Sequence, residues 1–207
     1  MQIYAISHNE LTPYNKLPDM LDIALKSGVS IFQFRDKNLN DNAIFNLCCE
    51  LGEICSKNNA SFIINDRINL ALRLQDSKIS CGLHLGKGDL NMPFYDICSI
   101  FKGNIGVSCY GDISKALEYQ NLGADYVAFG SIFQSPTKTK SIVIGYEILK
   151  EARSKLDIKI CAIGGINASN VRFIKNIDMI AMISSIWIGD IKENIYKIKN
   201  IIYENKL

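Results

Sequence analysis

Gln33-Phe34-Arg35-Asp36-Lys37 follows the apolar run Val29-Ser30-Ile31-Phe32 and gathers an amide, a guanidinium and an ammonium into one short stretch. Gln33 and Arg35 are two apart, so on a strand they point to the same side, and Lys37 carries the series onto the following loop. Converging groups of these types suit a polar ring joined to a polyphosphate: the guanidinium forks around phosphate oxygens and the ammonium adds a point charge. The same residues also suit a strand that simply ends in solvent. The ends of the other strands therefore decide between the two readings.

Asn65-Asp66 and His84-Leu85-Gly86-Lys87-Gly88-Asp89 each follow an apolar run. Carboxylates on neighbouring strand ends can share a hard cation, and Mg²⁺ is held by one or two carboxylates with phosphate oxygens and water completing its shell. Asp66 equally fits a cap on a helix starting near Arg67. Gly86-Lys87-Gly88 lacks the spacer and the following Ser/Thr of a P-loop. His84 reads either as a ligand contact or as a packed core histidine. Ser108, ending Gly106-Val107-Ser108, offers a hydroxyl to a phosphate oxygen. Ser135-Pro136-Thr137-Lys138-Thr139-Lys140 interleaves hydroxyls with ammonium groups, as a phosphate lid would, and is also ordinary composition for a solvated loop. Gly164-Gly165 and Ser184-Ser185 follow the last two runs. There a barrel of parallel strands builds a monophosphate site from backbone N–H groups that approach the anion without an intervening Cβ.

These groups need a scaffold that brings successive strand ends to one edge. Short apolar runs at 2–7, 30–35, 61–65, 82–85, 105–108, 126–129, 158–163 and 179–183 alternate with helix-period segments. Examples are Leu17, Met20, Leu21 and Leu25, or Ala116, Leu117 and Tyr119 before a helix stop at Gly123. Ile191, Ile195, Ile198 and Ile202 mark a closing amphipathic helix. Right-handed crossovers between parallel strands, repeated around the chain, close into an α/β fold of the (β/α)₈ TIM-barrel type, with one domain over 1–207. A doubly wound open sheet is the alternative. The long loop at about 130–144, after the sixth run, is a candidate functional loop.

The chain has 207 residues, 48% of them apolar, and a net charge of +2 without a basic block, which argues against a nucleic-acid partner. Its seven cysteines are odd in number, lie mostly in apolar runs and lack C-x-x-C spacing, as expected of buried thiols in a reducing compartment. No start resembling a signal peptide and no run near the roughly 18 apolar residues of a membrane span is visible. A cytoplasmic location with no membrane partner is the expectation, and a homo-oligomer is left open.

With these motifs assembled in order, the chain resembles the thiamine phosphate synthases. The resemblance rests on Gln33 to Lys37, Asn65-Asp66, Gly82 to Gly86 with Asp89, Gly106-Val107-Ser108, Pro136-Thr137-Lys138, Gly164-Gly165-Ile166 and Met182-Ile183-Ser184. It implies a (β/α)₈ barrel that joins a hydroxymethylpyrimidine diphosphate to a thiazole phosphate. Gln33 would then bind the pyrimidine, while Arg35, Lys37, Asn65, Ser108 and Lys138 hold the diphosphate. Asp66 and Asp89 would carry Mg²⁺. Ser135 and Thr137 would face the thiazole, and Gly165, Ile183 and Ser184 its phosphate. Arg35, Lys37 and Lys138 would act catalytically by stabilising the departing pyrophosphate. The chain departs from the family pattern at Lys87-Gly88, where Gln-Glu is usual, at Gln134-Ser135, at Tyr110, where His is frequent, and in a short segment between Ile166 and Ile183. Two rivals follow. A thiazole tautomerase of the same superfamily would want a proton-transfer histidine near Tyr110, and only His8 and His84 are available. A non-catalytic thiamine-phosphate-binding protein is the other.

Overall fold

Strands that are apolar on both faces belong in a parallel sheet, covered by helices outside and by each other inside. The computed structural model describes residues 1–86, 92–134 and 142–204. Strands β1 (Gln2–Ile6), β2 (Ile31–Phe34), β3 (Ser61–Asn65), β4 (Gly82–Leu85), β5 (Ile105–Tyr110), β6 (Tyr126–Phe129), β7 (Lys159–Ile163) and β8 (Met179–Met182) run parallel in sequence order. β1 also pairs with β8, closing the barrel expected from the sequence. Each strand falls within a residue or two of the run that announced it.

The period of two divides the strands between an outer and an inner core, with β4 and β5 giving only glycine and polar residues to the inside. Phe32, Phe34, Phe62, Ile64, Leu83, Val107, Val127 and Phe129 face outward and pack with the helices. Tyr4, Ile6, Ile31, Ile63, Tyr126, Ala128, Cys161, Met179 and Ala181 fill the barrel. On β2, β3 and β4 the inward series turns polar toward the carboxyl ends, where Gln33, Asn65 and His84 are buried.

Helices α1 (Leu17–Ser27), α2 (Asp41–Lys57), α3 (Ile68–Asp76), α4 (Phe94–Ile100), α5 (Ile113–Asn121) and α6 (Glu147–Lys155) follow β1 to β6. Asn40 and Asp112 cap α2 and α5 by accepting from the Ala43 and Lys115 N–H groups. The left-handed Gly123, with φ of 97°, ends the α5 segment as the sequence foretold. Between β7 and β8 the chain makes only a 3₁₀ turn, Val171–Phe173, which accounts for the short segment noted there. After β8 come α7 (Ser184–Trp187) and the closing α8 (Ile191–Glu204), whose Ile195, Ile198 and Ile202 are buried. The Trp187 indole N–H donates to the Ile6 carbonyl over 2.7 Å, tying α7 back to β1. Among the described residues, no helix is long and apolar enough to cross a membrane.

Candidate active site

Lys87, Gly88 and Asp89, together with Ser135, Thr137 and Lys138, lie outside the described residues. The described candidates fall at the carboxyl ends of the strands, sorted into two adjoining cavities. The smaller, about 190 Å³, is lined by Gln33, Arg35, Lys37, Asn65, Asp66, His84, Gly86 and Ser108. The larger, about 600 Å³, is mostly apolar, with Ile142, Ile144, Ile163 and Met182 beside Gly165, Ile183 and Ser184. Ser108, Tyr110, Ala128, Ile163, Ala181 and Ile183 belong to both walls, so the polar half of the mouth opens directly onto the apolar half.

In the polar half, Arg35 is held by its backbone: its N–H donates to the Ser7 hydroxyl at 2.8 Å. Its guanidinium has no hydrogen bond or ion pair to another described residue. Lys37 Nζ stands 3.8 Å from an Asp66 carboxylate oxygen. Asp66 accepts from the Gly86 N–H at 3.0 Å and from the Asn65 amide, joining the ends of β3 and β4. Its φ of 63° puts a non-glycine residue in the left-handed region, a conformation Asp tolerates and one that recurs at functional sites. The alternative role for Asp66 is not met, because α3 starts at Ile68 without a side-chain cap.

Asp36, central in the opening cluster, faces away from the cavities. Its side chain is fully buried and accepts from the Asn38 and Leu39 N–H groups at 3.0 and 2.8 Å and from Asn9 at 3.2 Å. It also accepts from the Tyr14 hydroxyl and pairs with the Arg67 guanidinium at 3.0 Å. Burial alone would raise the Asp36 carboxyl. The Tyr14 hydroxyl, the two N–H groups and the Arg67 charge outweigh burial and hold it below the ordinary carboxylate range. Asp36 thus anchors the loop that carries Arg35 and Lys37. Sequence reasoning gave it no role, since its side-chain partners Asn9, Tyr14 and Arg67 come from two distant segments.

A second network crosses the barrel. Gln33 Nε2 donates to the Tyr4 hydroxyl at 2.6 Å, and the Tyr4 and Tyr126 hydroxyls are 2.9 Å apart. His84 Nδ1 lies 2.9 Å from the Tyr126 hydroxyl and His84 Nε2 lies 2.9 Å from the Ser108 hydroxyl. Of the two readings of His84, the packed core histidine is met. Register explains how the rings reach each other: His84 on β4, Gly106 on β5 and Tyr126 on β6 stand in one row. The missing side chain at Gly106 leaves space that the Tyr126 ring occupies, and the His84 and Tyr126 rings stack with centroids 5.5 Å apart. Tyr4 and Tyr126 carried no motif. Only their inward parity was readable, not the strands they would meet.

Burial pushes the His84 imidazole down to about 4. The unfolded chain takes up this proton near 6.5 while the folded chain refuses it until about 4, so protonation favours unfolding. The stability tied to a neutral His84 is complete above pH 6.5 and is lost as pH falls through that window. At about 1.4 kcal/mol per pH unit, roughly 3 kcal/mol is expected to disappear between pH 7 and pH 4. Denaturant titrations across this range should show the loss, and His84→Gln should flatten it. An equal slope in that variant would assign the loss to other groups.

At the far wall, Gly164 and Gly165 have φ of 105° and 63°, and a Cβ at either would overlap Ser131 or the Gln134 carbonyl. Glycine is required there by both conformation and space. The Ser185 hydroxyl donates to the Ile166 carbonyl at 2.5 Å, joining the turns after β7 and β8. Tyr110, left-handed at φ 56° and half exposed, stands on the wall common to both cavities. Neither described histidine takes that position: His84 is committed to the network and His8 lines neither cavity. Cys109 is buried, which raises its thiol to about 12 and makes it unreactive.

Fold and site together define a (β/α)₈ barrel with two joined small-molecule cavities at its carboxyl edge, where such barrels place their chemistry. The chain belongs to the thiamine monophosphate synthase family, whose sequence profile matches residues 3–186. It is 42% identical over 181 residues to the thiamine-phosphate synthase of Wolinella succinogenes, covering 87% of this chain and 82% of that protein. The enzyme of the same name from Nitrosococcus oceani is 37% identical over 168 residues, covering 81% and 76%. Among solved structures, the thiamine phosphate pyrophosphorylase of Pyrococcus furiosus superposes with a TM-score of 0.85 at 29% identity, covering 99% of this chain and 96% of that one.

Proposed function

We propose that this chain is a transferase that condenses a hydroxymethylpyrimidine diphosphate with a thiazole phosphate, giving thiamine phosphate and pyrophosphate. The observation that carries the reading is the joined pair of cavities, a cationic polar one abutting an apolar one at Ser108, in a chain of this family. The diphosphate would lie between Arg35, Lys37, Asn65, Ser108 and Lys138, with Gln33 toward the pyrimidine. The thiazole would occupy the apolar cavity, its phosphate against Gly165, Ile183 and Ser184, and by the family resemblance Ser135 and Thr137 would supply hydroxyls to it.

Asp66 presents a carboxylate beside Lys37, an all-oxygen donor of the kind Mg²⁺ takes, and Asp89 would be its companion. When bound, Mg²⁺ supplies positive charge to the phosphate oxygens. The residues of the chain supply the rest. Arg35, Lys37 and Lys138 meet the negative charge that grows on the leaving pyrophosphate, and the shared wall at Ser108 and Tyr110 holds the two substrates side by side. No protein nucleophile is required, because the electron-rich aminopyrimidine supports the cation left by the departing group and the thiazole nitrogen attacks it.

Mixing the purified protein with both phosphates and Mg²⁺ should release thiamine phosphate and pyrophosphate in equal amounts, and chelation should stop the release. Asp89→Asn should lose most turnover with the unfolding midpoint nearly unchanged. Isomerisation of the thiazole alone, or tight binding of thiamine phosphate without turnover, would replace the proposal with one of its rivals. The position of Tyr110 and the commitment of His84 already weigh against the isomerase.

A further inference from the structure

The geometry points to Tyr4, Tyr126 and His84 as a one-way hydrogen-bond relay that ties Gln33 to Ser108 and turns the Ser108 hydroxyl outward as an obligate donor to the ligand. The inference deepens the reading above, in which Ser108 contacts the diphosphate, and it assigns positioning roles to Tyr4, Tyr126 and His84, which act through Gln33 and Ser108.

The direction follows from counting protons. A hydroxyl has one hydrogen, and a neutral imidazole has one N–H and one lone pair. Tyr4 is buried, and among the described residues its hydroxyl meets only Gln33 Nε2 and the Tyr126 hydroxyl. The amide nitrogen is a donor, so the Tyr4 hydrogen has one acceptor left, the Tyr126 oxygen. Tyr126, also buried, must then send its hydrogen to His84 Nδ1 at 2.9 Å. His84 is neutral, so its hydrogen sits on Nε2 and is donated to the Ser108 oxygen at 2.9 Å. The Ser108 hydrogen has no place in the chain and points into the space where both cavities meet.

With the Gln33 amide nitrogen toward Tyr4, each other arrangement of these hydrogens leaves a buried hydroxyl hydrogen without an acceptor, a loss comparable to the whole worth of a hydrogen bond. The relay therefore delivers a fixed donor to a region where the ligand carries anionic oxygens, without placing another charge there. It also orients the Gln33 amide, one of whose two N–H groups is committed to Tyr4. Two ligand-facing groups on opposite sides of the mouth are thus set by one chain of bonds, and neither can reverse alone.

The tautomer of His84 reports the direction in the free protein, whatever the reaction turns out to be. Nitrogen-15 spectra of labelled histidine in a His8→Gln chain should show His84 as the pure Nε2–H tautomer. The Nδ1–H form, or a mixture, would overturn the relay even if the synthase assignment holds. Kinetics supply the second readout. Tyr126→Phe removes the donor to Nδ1 and should lower kcat/KM for pyrophosphate release by about tenfold, as Ser108→Ala should. In the double variant the losses should not add, because both cancel the same donated bond. Additive losses would show that Tyr126 acts only through packing. The spectrum needs no variant within the relay, so a misfolded Tyr126→Phe chain would not protect the inference.

Discussion

Gly106→Ala is expected to lose at least about 3 kcal/mol of folding stability, large for a single methyl group and a big share of the roughly 5–15 kcal/mol of a typical domain. The added Cβ would overlap the Tyr126 ring, whose far end is fixed by Tyr4 and His84. Overfilling a packed core costs about 1–3 kcal/mol, and each buried polar group stranded by the displaced ring adds about 1–3 kcal/mol. Denaturant unfolding measures the loss. The cause is separable from ordinary strand propensity by a cycle with Tyr126→Leu. In that background Gly106→Ala should cost much less, since the obstructing ring is gone. An unchanged cost would place the strain in the β5 backbone.

Asp36→Ala should be comparably severe although no ligand would touch that carboxylate. It removes the acceptor for two backbone N–H groups and for Asn9 and Tyr14, and it leaves the Arg67 guanidinium with Asp41 and backbone carbonyls only. Breaking a buried pair by deleting one partner costs about 3–5 kcal/mol. Lys37→Ala, one residue away, changes an exposed side chain and should stay within about 0.5 kcal/mol of the parent. Under the proposed function the two substitutions converge kinetically, because both deprive the diphosphate of the Lys37 ammonium. Unfolding curves and the Michaelis constant for the pyrimidine diphosphate, measured on both chains, test the division of labour within neighbouring residues. Equal stability in both would mean that the loop needs no anchor.

That division explains what the sequence could and could not convey. Alternating apolar runs and helical segments determined the barrel by themselves: each strand is short, buried on both faces and joined by a crossover, and parity alone puts Gln33 and Arg35 on one side. The glycines at 164 and 165 were likewise legible, since a paired glycine after a strand announces a backbone that side chains would obstruct. Gln33, Arg35 and Lys37 were read as one converging group, and the tertiary structure does bring all three to the polar cavity while setting Asp36 apart. Gln33 is tied to Tyr4 on the inner wall of that cavity, Arg35 and Lys37 stand at its rim, and Asp36 is turned outward to Arg67. Side-chain parity is local and travels with the sequence. Pairing across the barrel depends on which strands closure brings together, and that is set by the fold as a whole: Tyr4 with Tyr126, His84 stacked on Tyr126 over Gly106, and Asp66 bridging β3 to β4. From its sequence the chain specified which groups would stand at the carboxyl edge. Only the closed barrel decided which of them face a ligand and which hold the others in place.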